Sequence, residues 1–236
     1  MIIESAFYKL PDYFLTKETP ELDYESQLVT YFVLSIFLEL QNRGINTPYL
    51  NIQLEKKYPK KNYRADIFVK IPWLKYKESL RKKIIAAGYY QIFEKNWIEV
   101  KFFGAKERTK SSSQKTMNVW TILNDLLRLK SYIASNEGKY LLIGFNRSPK
   151  EYLAFQTKKK KERKYLSQLF QAGEKKIKID VSQEGKTLGS FEELTRHPSF
   201  TLNILTLTIE PKGAYCLPDR PCFWLYLIKI LPNLKS

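Results

Sequence analysis

Asp66, Glu99 and Lys101 are the residues of this chain best placed to do chemistry. They lie in two runs that otherwise read as buried β-strands: residues 63–69 (Tyr-Arg-Ala-Asp-Ile-Phe-Val) and 97–103 (Trp-Ile-Glu-Val-Lys-Phe-Phe). Strand side chains alternate between faces, so Glu99 and Lys101 share one face while Ile98, Val100 and Phe102 share the other. Burying a carboxylate and an ammonium is costly unless they are paired or bind a metal. Two acids and a lysine on neighbouring strands therefore point to an oxygen-lined divalent cation site with a lysine beside it.

The elements that must hold these residues follow from periodicity and turn chemistry. Residues 1–12 read as aromatic and irregular, with Pro11 and Pro20 bracketing a loop. Asp23 is the expected N-cap of a long apolar helix over 24–42, which Arg43 and Gly44 close. Strands are expected over 49–57 and 63–71, joined by a hairpin turn at Pro59-Lys60-Lys61-Asn62. Residues 72–96 form a basic and aromatic insertion with a helix over 76–87. After the strand at 97–103, a polar loop over 104–117 leads to a second helix over 118–135 and a core strand over 139–145. A basic helix over 158–171, a loop near 185–190 and two strands over 201–209 and 222–231 complete the chain. Residues 1–150 make the core and 151–236 an elaboration of the same domain.

With 236 residues, the chain is long enough for one large domain with a buried core. A hydrophobic content of 44% argues against disorder, and a net charge of +16 favours a polyanionic partner, nucleic acid before an anionic membrane. The chain has two cysteines, Cys216 and Cys222, and one histidine, His197, which excludes a structural zinc site of the usual Cys/His kind. So few cysteines suit a reducing cytosol, with a single Cys216–Cys222 bridge as the alternative. The first residues lack the basic and apolar regions of a secretory signal, and the apolar run at 223–231 is too short to span a bilayer. A cytoplasmic protein is expected.

The αβββαβ order, an Asp opening the second strand and a Glu-x-Lys in the third resemble the PD-(D/E)XK nuclease superfamily, over about residues 24–146. Ala65 stands where the nominal motif has proline. The resemblance implies an α/β fold with a restriction-endonuclease-like core, a mixed sheet flanked by helices, and a C-terminal elaboration suited to DNA recognition. It also implies a Mg²⁺-dependent endodeoxyribonuclease, of type II restriction kind, cutting double-stranded DNA as a homodimer, with Mn²⁺ able to substitute. Asp66 and Glu99 would be the carboxylate ligands and the Val100 carbonyl a third oxygen. Lys101 would orient the attacking water or stabilise the phosphorane. Glu25, near the start of the first core helix, would be an outer acid, with Glu39 the alternative on that helix.

Lys106, Arg108, Lys110 and Lys115, after the third strand, and Lys158, Lys159, Lys160 and Lys161 are candidates for contact with the nucleic-acid backbone. Gln114 and Asn118 lie where relatives place substrate-contacting residues. Asp125 and Arg128, three apart, read as a pair on a helix surface. Structural readings compete with each assignment. Glu99 and Lys101 would then be a solvated pair on an edge strand, Asp66 a turn cap, and Glu25 a complement to the helix dipole. The alternative functions are a structure-specific repair or recombination nuclease and a non-catalytic nucleic-acid-binding protein.

Overall fold

A computed structural model describes residues 2–15, 22, 24–71, 93–104, 111–157, 161–182, 184, 191–210 and 223–232. The chain opens with helix α1 (Ile2–Leu15), where the sequence reads as irregular. Ile2, Ile3, Ala6, Phe7 and Leu10 are all buried at helical spacing, and this apolar stripe outweighs the N–H that Pro11 removes from the helix. Helix α2 (Glu25–Asn42) packs beside it, with Leu28, Phe32, Ile36 and Leu40 inward. Its N-cap is Tyr24 rather than Asp23, and the Tyr24 N–H donates to the Gln27 side chain at 3.1 Å.

A 3-10 turn (Pro48–Asn51) then precedes β1 (Ile52–Lys57), which pairs antiparallel with β2 (Arg64–Lys70). The hairpin closes where the Tyr58 N–H donates to the Tyr63 carbonyl at 2.9 Å. Strand β3 (Lys95–Phe103) pairs antiparallel with β2 and parallel with β4 (Gly138–Phe145). Helix α3 (Ser112–Tyr132) makes the parallel crossover. It starts six residues before the expected position 118 because Ser111 caps it, its hydroxyl accepting from the Gln114 N–H at 3.2 Å. The strong apolar stripe that marks this helix in sequence begins only at Val119, so its polar first turns read as loop.

Two short helices, α4 (Pro149–Tyr152) and α5 (Lys164–Leu169), lead to β5 (Gly173–Asp180). The sequence reading does not anticipate that strand, since its run of lysines hides the alternation of Ile177 and Ile179. Helix α6 (Glu192–Arg196), β6 (Ser199–Ile209) and β7 (Trp224–Ile230) follow. Of the basic helix expected over 158–171, the described residues contain α5, and positions 158–160 lie outside them. The inserted helix at 76–87, the loop near 185–190 and both cysteines lie outside the described residues.

The seven strands of the described residues form one mixed sheet in the order β1-β2-β3-β4-β7-β6-β5. Helices α1 and α2 cover one face around Ile98, Val100, Leu142 and Leu227. Helix α3 covers the other around Leu141, Ile143 and Ile228, with Trp120 and Leu123 buried there. The protein is therefore α/β, with a mixed sheet between helical layers. Among the described residues, no helix is long and apolar enough to cross a membrane.

Candidate active site

The pairing of β2 with β3 runs from Lys70 opposite Lys95 to Ile67 opposite Ile98, and then stops. Strand β3 continues to Phe103 against β4 alone, so the main-chain N–H groups of Val100 and Phe102 lose the acceptors that β2 would supply. Two carboxylates replace them. Asp66 Oδ2 accepts from the Val100 N–H at 2.6 Å, and Glu25 Oε2 accepts from the Phe102 N–H at 3.3 Å. Where the strands part, the sheet thus gathers acids from β2 and α2 onto β3.

Glu99 and Lys101 share the other face of β3, as the sequence predicts, and there they meet α3. The solvated edge-strand reading is overturned: β3 lies between β2 and β4, and Glu99 is 3% exposed. Its carboxylate accepts from the Tyr58 hydroxyl and lies 3.7 Å from Arg128. Lys101 Nζ donates to the Val100 carbonyl at 2.6 Å and lies 3.4 Å from Glu25 and 3.6 Å from Asp125. Asp125 and Arg128 do pair, at 3.0 Å, but inside this cluster and not on the helix surface. Position 125 falls on the stripe of Ile122, Leu126 and Leu129, a signal that an i,i+3 charge rule overlooks.

Tyr58 and Tyr63, which flank the hairpin turn, escape a sequence reading altogether. Tyr58 reaches Glu99, and the Arg128 guanidinium sits over the rings of Tyr63 at 4.2 Å and Tyr58 at 5.7 Å. An aromatic on each side of a four-residue turn was the available clue. Glu39 belongs elsewhere, 2.7 Å from both Lys9 and Arg43.

Four carboxyl groups, from Glu25, Asp66, Glu99 and Asp125, thus meet two cations, from Lys101 and Arg128. Burial, with Asp125 and Asp66 close by, pushes the Glu99 carboxyl well above the usual carboxylate range. Burial likewise raises Asp125 and, helped by Asp66, Glu25. Burial opposes the charge on Lys101, but Asp125, Glu25, Asp66 and Glu99 together hold it firmly protonated. Asp125 Oδ2 is buried without a hydrogen-bond partner.

Crowded carboxylates supply oxygen donors of the kind that hard divalent cations take, and the Asp125 oxygen without a hydrogen bond has Lys101 at 3.6 Å as its counter-charge. Among the described residues no three acidic, histidine or cysteine side chains already converge as a metal-holding group. Glu99 is turned to Tyr58 and Arg128, and Lys101 occupies the Val100 carbonyl.

The remaining candidates are dispersed. Lys115 lies on α3 and donates to the Lys150 carbonyl at 3.3 Å, and Lys161 is exposed in an extended segment. Lys106, Arg108, Lys110, Lys158, Lys159 and Lys160 lie outside the described residues. Gln114 and Asn118 bond each other at 3.0 Å, and Asn118 also holds the Tyr152 carbonyl at 3.0 Å. His197 is exposed.

One strained residue borders the site. Glu55 has φ +52°, and the regular β1–β2 pairing skips Glu55 and Asp66, with Leu54 opposite Ile67 on one side and Lys56 opposite Ala65 on the other. A left-handed residue costs about 1–2 kcal/mol, and such strain concentrates at functional sites. Glu55→Val, although exposed, is expected to destabilise, because a β-branched side chain tolerates the left-handed region still less than Glu does, whereas Glu55→Gly should leave stability unchanged or slightly higher. Urea unfolding midpoints check this, and equal losses for both variants would remove the strain argument.

No protein-family model, curated protein or solved structure matches this chain.

Proposed function

We propose that this protein is a divalent-cation-dependent nuclease with a PD-(D/E)XK-type core, an endodeoxyribonuclease acting on double-stranded DNA in the manner of a type II restriction enzyme. The observation that carries the proposal is the parting of β2 from β3, which brings Asp66, Glu25 and Lys101 to one stretch of main chain with Glu99 beside them. The order from α2 to β4, with β3 and β4 parallel, supports it.

In this reading, Asp66 and Glu99 would hold the cation, and the Val100 carbonyl would be a third oxygen. Bound there, a divalent cation would polarise the scissile phosphate and lower the pKa of a water. The chain's own groups do the rest. Lys101, kept charged by its acidic neighbours, meets the negative charge that builds on the phosphorus oxygens. Glu25 holds Lys101 and the Phe102 N–H in place. Tyr58 and Arg128 orient Glu99. A homodimer would supply the second centre needed to cut both strands at once.

The test is incubation of purified protein with supercoiled plasmid, linear duplex and branched DNA, with Mg²⁺, with Mn²⁺ and with EDTA. Discrete, metal-dependent fragments from the duplex are expected. Cleavage of branched DNA alone would move the assignment to a structure-specific nuclease. Binding without cleavage of any substrate would leave a non-catalytic nucleic-acid-binding protein.

A further inference from the structure

Residues 56–64 carry five cations and no acid: Lys56, Lys57, Lys60, Lys61 and Arg64. They occupy the β1–β2 hairpin, whose tip lies beyond the point where β2 leaves β3. The strands are antiparallel with Ile67 opposite Ile98, so the hairpin runs from there toward the same end as β3 residues Lys101–Phe103. It stays beside the candidate site as it does so. Tyr58, at one side of the turn, bonds Glu99, and Tyr63, at the other, covers Arg128.

The two tyrosines thus fasten a basic tip over the edge of an acidic cluster. Lys57, Lys60 and Arg64 are exposed, and none of them joins an ion pair among the described residues. Lys56 and Lys61 rest their stems inward, each Nζ 5.7 Å from an aromatic ring, of Phe68 and Tyr132.

Five like charges on a tight turn repel one another, and no acid within the turn relieves them. A ligand with regularly spaced negative charges would. We infer that the β1–β2 hairpin is a phosphate-backbone clamp, holding a nucleic-acid strand so that it passes Asp66 and Lys101. The inference rests on the nuclease reading and adds to it the element that seats the substrate. Its contacts are to phosphates, so the clamp contributes affinity and register but not base preference. Tyr58 and Tyr63 tie the base of the turn to Glu99 and Arg128, so a strand held at the tip lies beside the candidate site.

The test compares two double variants with the same loss of charge: Lys60→Gln/Arg64→Gln on the hairpin, and Lys176→Gln/Lys178→Gln on β5, the opposite edge of the sheet. All four side chains are exposed, and unfolding midpoints should show both variants as stable as wild type. Binding of a fluorescent duplex of about 30 base pairs is measured in EDTA over a range of salt concentrations. Each phosphate contact on duplex DNA contributes about 0.9 to the slope of log K against log salt. The hairpin variant should lose nearly two units of slope and the β5 variant almost none.

Equal changes in the two variants, or a wild-type slope in the hairpin variant, would overturn the clamp while leaving the nuclease reading intact. Wild-type protein with no salt-dependent affinity for duplex would instead overturn the nucleic-acid reading itself. Vesicles of anionic phospholipid supply the remaining arm. If the hairpin variant loses vesicle binding but keeps its duplex slope, the tip is a membrane contact and the clamp is wrong.

Discussion

Asp66→Asn, Glu99→Gln and Lys101→Ala are each expected to lower the rate of duplex cleavage by about 100- to 1000-fold or more, on the scale of removing one group that stabilises transition-state charge. The isosteric amides keep the internal hydrogen bonds. An amide oxygen at position 66 still accepts from the Val100 N–H, and one at position 99 still accepts from the Tyr58 hydroxyl, so the fold should survive while the proposed anionic ligand is lost. Duplex affinity in EDTA should change little, because it depends on phosphate contacts elsewhere. Glu25→Gln should lose less activity, since Glu25 acts through Lys101 and the Phe102 N–H. Single-turnover cleavage with Mg²⁺ measures all four. A Glu99→Gln enzyme that cuts at the wild-type rate would place the metal centre somewhere else.

Lys229→Ala is expected to be the most damaging single substitution for stability. Lys229 lies on β7 and is 1% exposed, its Nζ 2.6 Å from Glu4 on α1. The Tyr140 hydroxyl donates to the same Glu4 oxygen at 3.1 Å. Removing one partner leaves a buried carboxylate short of its counter-charge, at a cost of about 3–5 kcal/mol. For a domain of this size that is a fall in Tm of roughly 6–20 °C. The double variant Glu4→Gln/Lys229→Met removes both charges at nearly constant volume and should recover most of the loss. Thermal and urea unfolding of the two single variants and the double one test the coupling. A loss below about 1 kcal/mol for Lys229→Ala would show the pair to be dispensable.

The site was legible where strand alternation alone decides it. Glu99 and Lys101 had to share a face opposite Ile98 and Val100, and a charged face flanked by bulky apolar residues had to be covered. The helix–strand order from α2 to β4 was legible for the same reason, each element having its own hydrophobic period. Less legible were elements whose period is masked by composition: α1, because of Pro11 and its aromatics; the polar first turns of α3; and the lysine-rich β5. In each, contacts with distant segments outweigh local preference.

By itself, then, the sequence determined that Glu99 and Lys101 would share one face of a core strand, with a further acid, Asp66, on the strand beside it. Tertiary structure alone decided what they meet. The gap between β2 and β3 recruits Asp66 and Glu25 because two N–H groups there need acceptors. The crossover turns Asp125 and Arg128 inward, although their spacing suits a surface pair. The hairpin brings Tyr58 to a residue 41 positions away, and the sheet brings Lys229 to one 225 positions away. Local sequence sets the period of an element and so the face on which each side chain lies. The partner on that face comes from the topology of the sheet, which no local pattern encodes.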